Sequence, residues 1–269
     1  MDLIQAILLA IVEGLTEYLP VSSTAHMIFL SSYYGIQEDD FVKLFQTAIQ
    51  FGAILAVVVL YWRKFFDFSR ISFYKKLVFA VIPALVLGKL LDDKIDAVLG
   101  ETIYIAIMLI VGGFVLIFID KYFKNPKTVR EEDITIKQAV TIGFWQCLAM
   151  MPGTSRSAAS IIGGMQQGLS RQVAAEFSFF LAVPTMAAVT VYSIVFKKYE
   201  SGKMGYELLF DNTDNLKLFL LGNVLAFIVS IVAIKFFIGI IKKYGFKPWG
   251  YYRIIAGVLL LIYFGYLKN

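Results

Sequence analysis

The chain reads as an all-α polytopic membrane protein built as an inverted-topology repeat, each half a re-entrant helix hairpin followed by three transmembrane spans. Composition, the lengths of the apolar runs and a proline-led turn that occurs twice predict this class. Hydrophobic residues make up 59% of the chain, charged residues 17%, and the mean hydropathy is +0.73. Soluble domains average about 25% charged residues. A soluble globular class is therefore excluded.

The first element is a hairpin. Residues 3–13 and 24–34 are apolar but too short to cross a bilayer core, which needs about 20 helical residues, and Pro20 breaks the helix between them. The opening stretch does not read as a signal peptide: Met1-Asp2 offers no basic start, and Glu13 and Glu17 interrupt the run. Three spans follow, near 41–62, 77–91 and 102–119, and then a linker with Pro126, Lys127, Arg130 and Glu131. Residues 138–150 and 157–167 form the second hairpin around Pro152-Gly153, and spans near 173–196, 216–241 and 251–267 close the chain. Irregular backbone at membrane depth requires protein or a polar cavity around it. The two turns are thus expected to be buried.

Charge sets the expected orientation. Arg63, Lys64, Arg70, Lys75 and Lys76 follow the first span, Lys121, Lys124, Lys127 and Arg130 the third, and Lys242, Lys243, Lys247 and Arg253 the fifth. Alternating spans put these cations on one side. The other side receives Glu38, Asp39 and Asp40, then Asp92, Asp93, Asp96 and Glu101, and the mixed segment from Lys197 to Asp214. The positive-inside rule makes the first side cytoplasmic and both termini external. Although the net charge is +5, the cations lie in short loops, so topology and not nucleic acid accounts for it. Tyr33, Tyr34, Tyr61, Trp62, Trp249, Tyr251 and Tyr252 lie near span ends and read as interfacial anchors. Cys147 is the single cysteine and excludes an intrachain disulfide.

The halves look homologous within one integral membrane domain, 1–269, the repeats being 1–121 and 135–269. Pro20 and Pro152 are 132 residues apart (152 − 20), and the same offset pairs Phe45 with Phe177, Ala56 with Ala188 and Val57 with Val189. With one residue of gap, Gly35-Ile36 pairs with Gly168-Leu169. Three spans per half is an odd number, so the second half inverts and the hairpin turns are expected to meet near the midplane.

That meeting place holds the chemistry. Glu13 and Glu17, four apart, share a helix face and suit a hard cation such as magnesium or calcium, which binds through one or two carboxylates and substrate phosphates. Ser22, Ser23 and Thr24 follow Pro20 where a helix begins, a place both for capping and for holding an anion, and a hydroxyl there can become a nucleophile. His26, the only histidine, reads as a catalytic base or nucleophile. In Gly153-Thr154-Ser155-Arg156-Ser157 the guanidinium of Arg156 and the turn around it resemble a phosphate cradle. Ionisable groups inside a membrane point to function by default.

Together the segments EGLTEYLPVSSTAH (Glu13 to His26) and QCLAMMPGTSRSAAS (from Gln146), with EFSFFLAVP (from Glu176), closely resemble the bacterial undecaprenyl-diphosphatase family of the bacitracin-resistance type. The resemblance implies hydrolysis of undecaprenyl diphosphate to its monophosphate in the bacterial inner membrane, recycling the lipid carrier of peptidoglycan synthesis. It also implies dependence on Mg2+ or Ca2+, with Glu13, Glu17, Ser22, Ser23, His26 and Pro152 to Ser157 as the matching positions. The nucleophile stays open among Ser23 activated by His26, His26 itself, and water activated by Glu17. An alternative is a polyprenyl-phosphate flippase, since an inverted repeat with a midplane anion site also builds transporters. Lipid phosphatases of the soluble-acid-phosphatase type use two histidines, and this chain has one. Besides the lipid substrate and membrane lipids no partner is indicated, and homo-oligomerisation stays open.

Overall fold

The computed structural model describes residues 1–99 and 102–267, without the side chains of residues 92–99 and 266–267. Glu101, and the side chains of Asp92, Asp93 and Asp96, lie outside the described residues. The helices are α1 (Leu3–Thr16), α2 (Ser23–Tyr33), α3 (Asp40–Ala48), α4 (Gln50–Leu60), α5 (Trp62–Phe65), α6 (Ile71–Leu99), α7 (Thr102–Tyr122), α8 (Ile136–Gln146), α9 (Arg156–Gln166), α10 (Arg171–Val191), α11 (Gly205–Phe210), α12 (Thr213–Tyr244) and α13 (Lys247–Ile262). Among the described residues six helical segments are long and apolar enough to cross a membrane: Asp40–Leu60, Ile71–Leu91, Thr102–Tyr122, Arg171–Phe196, Thr213–Tyr244 and Lys247–Gly265. Each overlaps one expected span. The first is jointed, because α3 and α4 meet at Ile49.

The four short helices pair into two hairpins. At 14 residues α1 is about 21 Å long, well short of a 30 Å hydrocarbon core. Asp2 and Gln5 cap its start reciprocally, and Thr135 and Gln138 do the same for α8. The return helices start alike: Ser22 Oγ accepts the Ala25 amide at 3.4 Å, and Ser155 Oγ accepts the Ala158 amide at 3.3 Å. Both serines have positive φ, 69° and 75°. Such backbone is uncommon for a residue with a Cβ and marks a constrained turn.

The hairpins open toward opposite ends. At the mouth of the first, Lys43 reaches Glu38 (3.1 Å) and Glu200 (2.8 Å), and Asp40 accepts the Ser201 amide at 2.7 Å. At the mouth of the second, the Lys127 amide donates to Gly168 O at 2.8 Å. Glu131 in the adjoining linker accepts Arg70 at 2.7 Å and Lys64 at 3.4 Å, while Lys76 donates to the carbonyls of Glu131 and Glu132. Asp120 joins Arg171 (2.6 Å) to the Phe246 amide (2.8 Å). These contacts gather the loop after α4, the linker after α7 and the turn after α12 at one end.

Packing is aromatic at the centre and apolar outside. Phe180 meets Tyr61, Phe65 and Phe73 at ring distances of 5.0, 5.8 and 5.5 Å, and Trp249 lies 5.4 Å from Phe237. Tyr61 and Trp249, at the end of α4 and the start of α13, thus pack their rings against neighbouring helices. Exposed Ile107, Val111, Phe114 and Phe118 line α7 and face lipid. Helices α4 and α12 touch at Gly52, whose amide donates to Asn223 Oδ1 at 2.8 Å; a Cβ there would sit 2.1 Å from Asn223 O.

Arg253 requires a correction. Sequence places it among the loop cations, but α13 begins at Lys247, so residue 253 stands nearly two turns inside and is 0% exposed. Its guanidinium donates to five carbonyls: Leu109 (3.1 Å), Met108 (3.1 Å), Pro20 (3.1 Å), Gly153 (2.8 Å) and Thr154 (3.0 Å). Two of these lie on α7 and three on the hairpin turns. A buried carbonyl left without a donor costs about 1–3 kcal/mol. Arg253→Met is expected to lower stability by at least about 3 kcal/mol, read as an earlier transition on SDS titration in mixed micelles, with Arg253→Lys intermediate. Gly52→Ala should cost roughly 1–3 kcal/mol by overpacking against a backbone carbonyl that cannot swing aside.

Candidate active site

The two turns meet side by side. Ser157 Oγ donates to Leu19 O at 2.7 Å, stitching the second turn to the first. Gly153 has φ +87°, and a Cβ there would lie 2.6 Å from Ile105 O, so only glycine lets the turn approach α7. Backbone thus fixes the frame in which the polar side chains sit.

Glu17 is the hub. It follows the last residue of α1, and its amide still donates to Glu13 O at 2.9 Å, so both carboxylates stay on one helical face. Its Oε1 accepts Arg156 Nη2 at 2.7 Å, and its Oε2 accepts the Ser23 hydroxyl at 2.5 Å. Both partners of this pair are nearly buried, with side-chain exposures of 10% for Arg156 and 3% for Glu17. Breaking a buried pair by removing one partner is costly, because the charge left behind is uncompensated. Glu13 is fully buried beside them, and neither of its oxygens has a hydrogen-bond partner.

Arg156 is held from several directions. Nη1 donates to Ser178 O at 2.9 Å and contacts Ser178 Oγ at 3.3 Å, and Ser178 in turn bonds Ser160 at 2.7 Å. The guanidinium also lies over the Tyr18 ring, 5.8 Å from its centre, and Tyr18 is fixed by donating to Ala53 O. Nε is buried without a partner. A planar fork with one unused donor is suited to an oxyanion.

His26 points elsewhere. Its Nδ1 is 2.7 Å from Ser22 O, and its Nε2 is 2.8 Å from the Tyr252 hydroxyl. The hydroxyl of Ser23 is bonded to Glu17 and not to the imidazole, so the serine–histidine pair, one of the three alternatives left open by the sequence, is not made in this structure. The remaining hydroxyls divide. Ser22 and Ser155 cap helices, and Ser155 also bonds Ser157 at 3.1 Å. Thr154 Oγ1 is buried without a partner, and Thr24 is half-buried on α2.

Sequence reasoning brought Glu13, Glu17, Ser23, Arg156 and their turns together, but it gave no part in the site to Tyr18, Ser178, Tyr252 or Arg253, reading Tyr252 as an interfacial anchor and Arg253 as a loop cation. Ser178 lies in the quoted segment EFSFFLAVP, and Arg253 interrupts an apolar run as Glu13 does, so both carried a signal. Tyr252 carried none, since a tyrosine near a span end is ordinary.

Comparison with known proteins places nearly the whole chain in one family. The family described as bacitracin resistance protein BacA matches residues 6–259. An undecaprenyl-diphosphatase of Flavobacterium johnsoniae is 53% identical over 263 residues, covering 97% of this chain and 96% of that one. One from Porphyromonas gingivalis is 47% identical over 279 residues, with the same coverages. Undecaprenyl-diphosphatase 1 of Clostridioides difficile is 43% identical over 275 residues, covering 98% of this chain and 97% of its own. By a match that spans nearly its whole length and includes both turns, the chain belongs to the bacitracin resistance protein BacA family.

Proposed function

We propose that this protein hydrolyses undecaprenyl diphosphate to undecaprenyl phosphate and inorganic phosphate at the junction of its two hairpin turns. It is a multi-pass membrane hydrolase whose product re-enters peptidoglycan synthesis, which accounts for resistance to bacitracin. The observation that carries the mechanism is the Glu17 carboxylate, bonded at once to the Ser23 hydroxyl (2.5 Å) and to Arg156 (2.7 Å). A nucleophile and a phosphate-binding cation thus share one buried carboxylate, which serves as the base.

In this reading the Ser23 proton passes to Glu17 Oε2 as Ser23 Oγ attacks the terminal phosphorus. The bond from that phosphorus to the bridging oxygen breaks, and undecaprenyl phosphate leaves. Water then cleaves the phosphoserine ester, releasing phosphate and returning the hydroxyl. Arg156 exchanges its hold on Glu17 for the terminal phosphate, with its Nε hydrogen as a further donor. Phosphoryl transfer needs mainly such positioning and charge neutralisation.

The carboxylates fit a hard divalent cation, Mg2+ or Ca2+. Glu13 has two buried oxygens with no hydrogen-bond partner, and Glu17 lies on the same face. Glu13 and Glu17, two carboxylates, would hold the ion with substrate oxygens completing its shell. Bound there, the cation offsets the charge of the diphosphate.

The orientation proposed puts the basic end in the cytoplasm and both termini outside. It is supported by the gathering of the basic segments at the end opposite Met1 and the last turn of α13.

Purified protein in detergent is expected to release phosphate from undecaprenyl diphosphate with Mg2+ or Ca2+ and to stop with chelator; Arg156→Ala should lower kcat by about 10²–10³-fold. Absence of release by folded wild-type protein would bring the flippase reading forward. Ser23→Ala should fall by a comparable factor, and full activity in that variant would replace serine with water at Glu17. For topology, alkaline phosphatase fused after Leu267 should be active in a bacterial host, and an inactive fusion at normal expression would reverse the orientation.

A further inference from the structure

His26 is held between two partners of different chemistry. Ser22 O, 2.7 Å from Nδ1, is a carbonyl and can only accept, so Nδ1 carries the hydrogen. In the neutral ring Nε2 then presents a lone pair. The atom facing it at 2.8 Å is the Tyr252 hydroxyl, which donates. The rings are nearly parallel, 11° apart with centres at 5.7 Å.

The phenol is itself fixed. Tyr252 precedes Arg253, which grips Pro20 O two residues before Ser22. A closed circuit therefore runs from the first turn through Arg253 and Tyr252 to His26 and back to Ser22. The imidazole is the only flat, hydrogen-bonding ring in this circuit with two distinct nitrogens, and each nitrogen is assigned by its neighbour.

We propose that Tyr252 is a positioning residue that holds the Nε2 of His26, in the Nδ1–H tautomer set by the Ser22 carbonyl, against the phenol. His26 can take the proton of the water that cleaves the phosphoserine ester only at Nε2, and only when Tyr252 shares that nitrogen or yields it. The kinetic consequence rests on the phosphatase reading above; the tautomer does not.

Because the chain has one histidine, labelling with 15N-histidine reports this ring alone. Wild-type protein in nanodiscs at pH 8 is expected to show a protonated Nδ1 and an unprotonated, hydrogen-bonded Nε2. In Tyr252→Phe the Nε2 resonance should move to that of a free ring nitrogen, with kcat down about three- to tenfold, the worth of one hydrogen bond, and KM within about twofold. Tyr251→Phe, whose ring meets Lys247 at 5.7 Å, should alter neither. An Nε2–H tautomer in the wild type, or a Tyr252→Phe spectrum identical to wild type, overturns the proposal. A changed spectrum in a protein whose wild type releases no phosphate would uphold the positioning role and reject the phosphatase reading instead.

Discussion

Backbone carbonyls that point into a dry interior must find donors, and in this fold Arg253 supplies them. Two irregular turns and one point on α7 converge on a guanidinium with no exposed surface. Non-helical backbone is tolerated at membrane depth only where something satisfies it, so the turns depend on this side chain before any chemistry can be built on them. A fixed, permanently charged fork with five donors suits the task where lysine, with three donors at a point, does not.

With the frame set, the reactive groups divide between the halves of the chain. Glu13, Glu17, Ser23 and His26 come from the first hairpin and Arg156 from the second, while Ser178 and Tyr252 reach in from long helices. The Glu17–Arg156 pair spans 139 residues of sequence. It neutralises two groups whose isolated burial would be expensive.

Much of this was legible in the sequence, for reasons that differ by element. The six spans are declared by length and apolarity, which a bilayer demands directly. The hairpins are declared by Pro20 and Pro152, and the reactive residues by their polarity in apolar surroundings. What stayed hidden is what depends on side-chain direction. Ser23 and His26, three apart on α2, suggest a pair, yet the imidazole turns back to its own helix's Ser22 carbonyl and the hydroxyl reaches across the turn to Glu17. Arg253 was visible as a charge but not as a clamp, since its acceptors come from three separate segments and carbonyls leave no mark in a residue string.

The position of Arg253 also imposes an order on biogenesis. Pro20 waits 233 residues for its donor, and at synthesis rates of roughly 5–20 residues per second that is roughly 10–50 seconds. Through this interval the first hairpin has Glu13 and Glu17 but not the last helix that closes its turn. A ribosome-bound or truncated chain therefore carries no finished site, and the competence to hydrolyse a shared lipid carrier is conferred only when the final span docks.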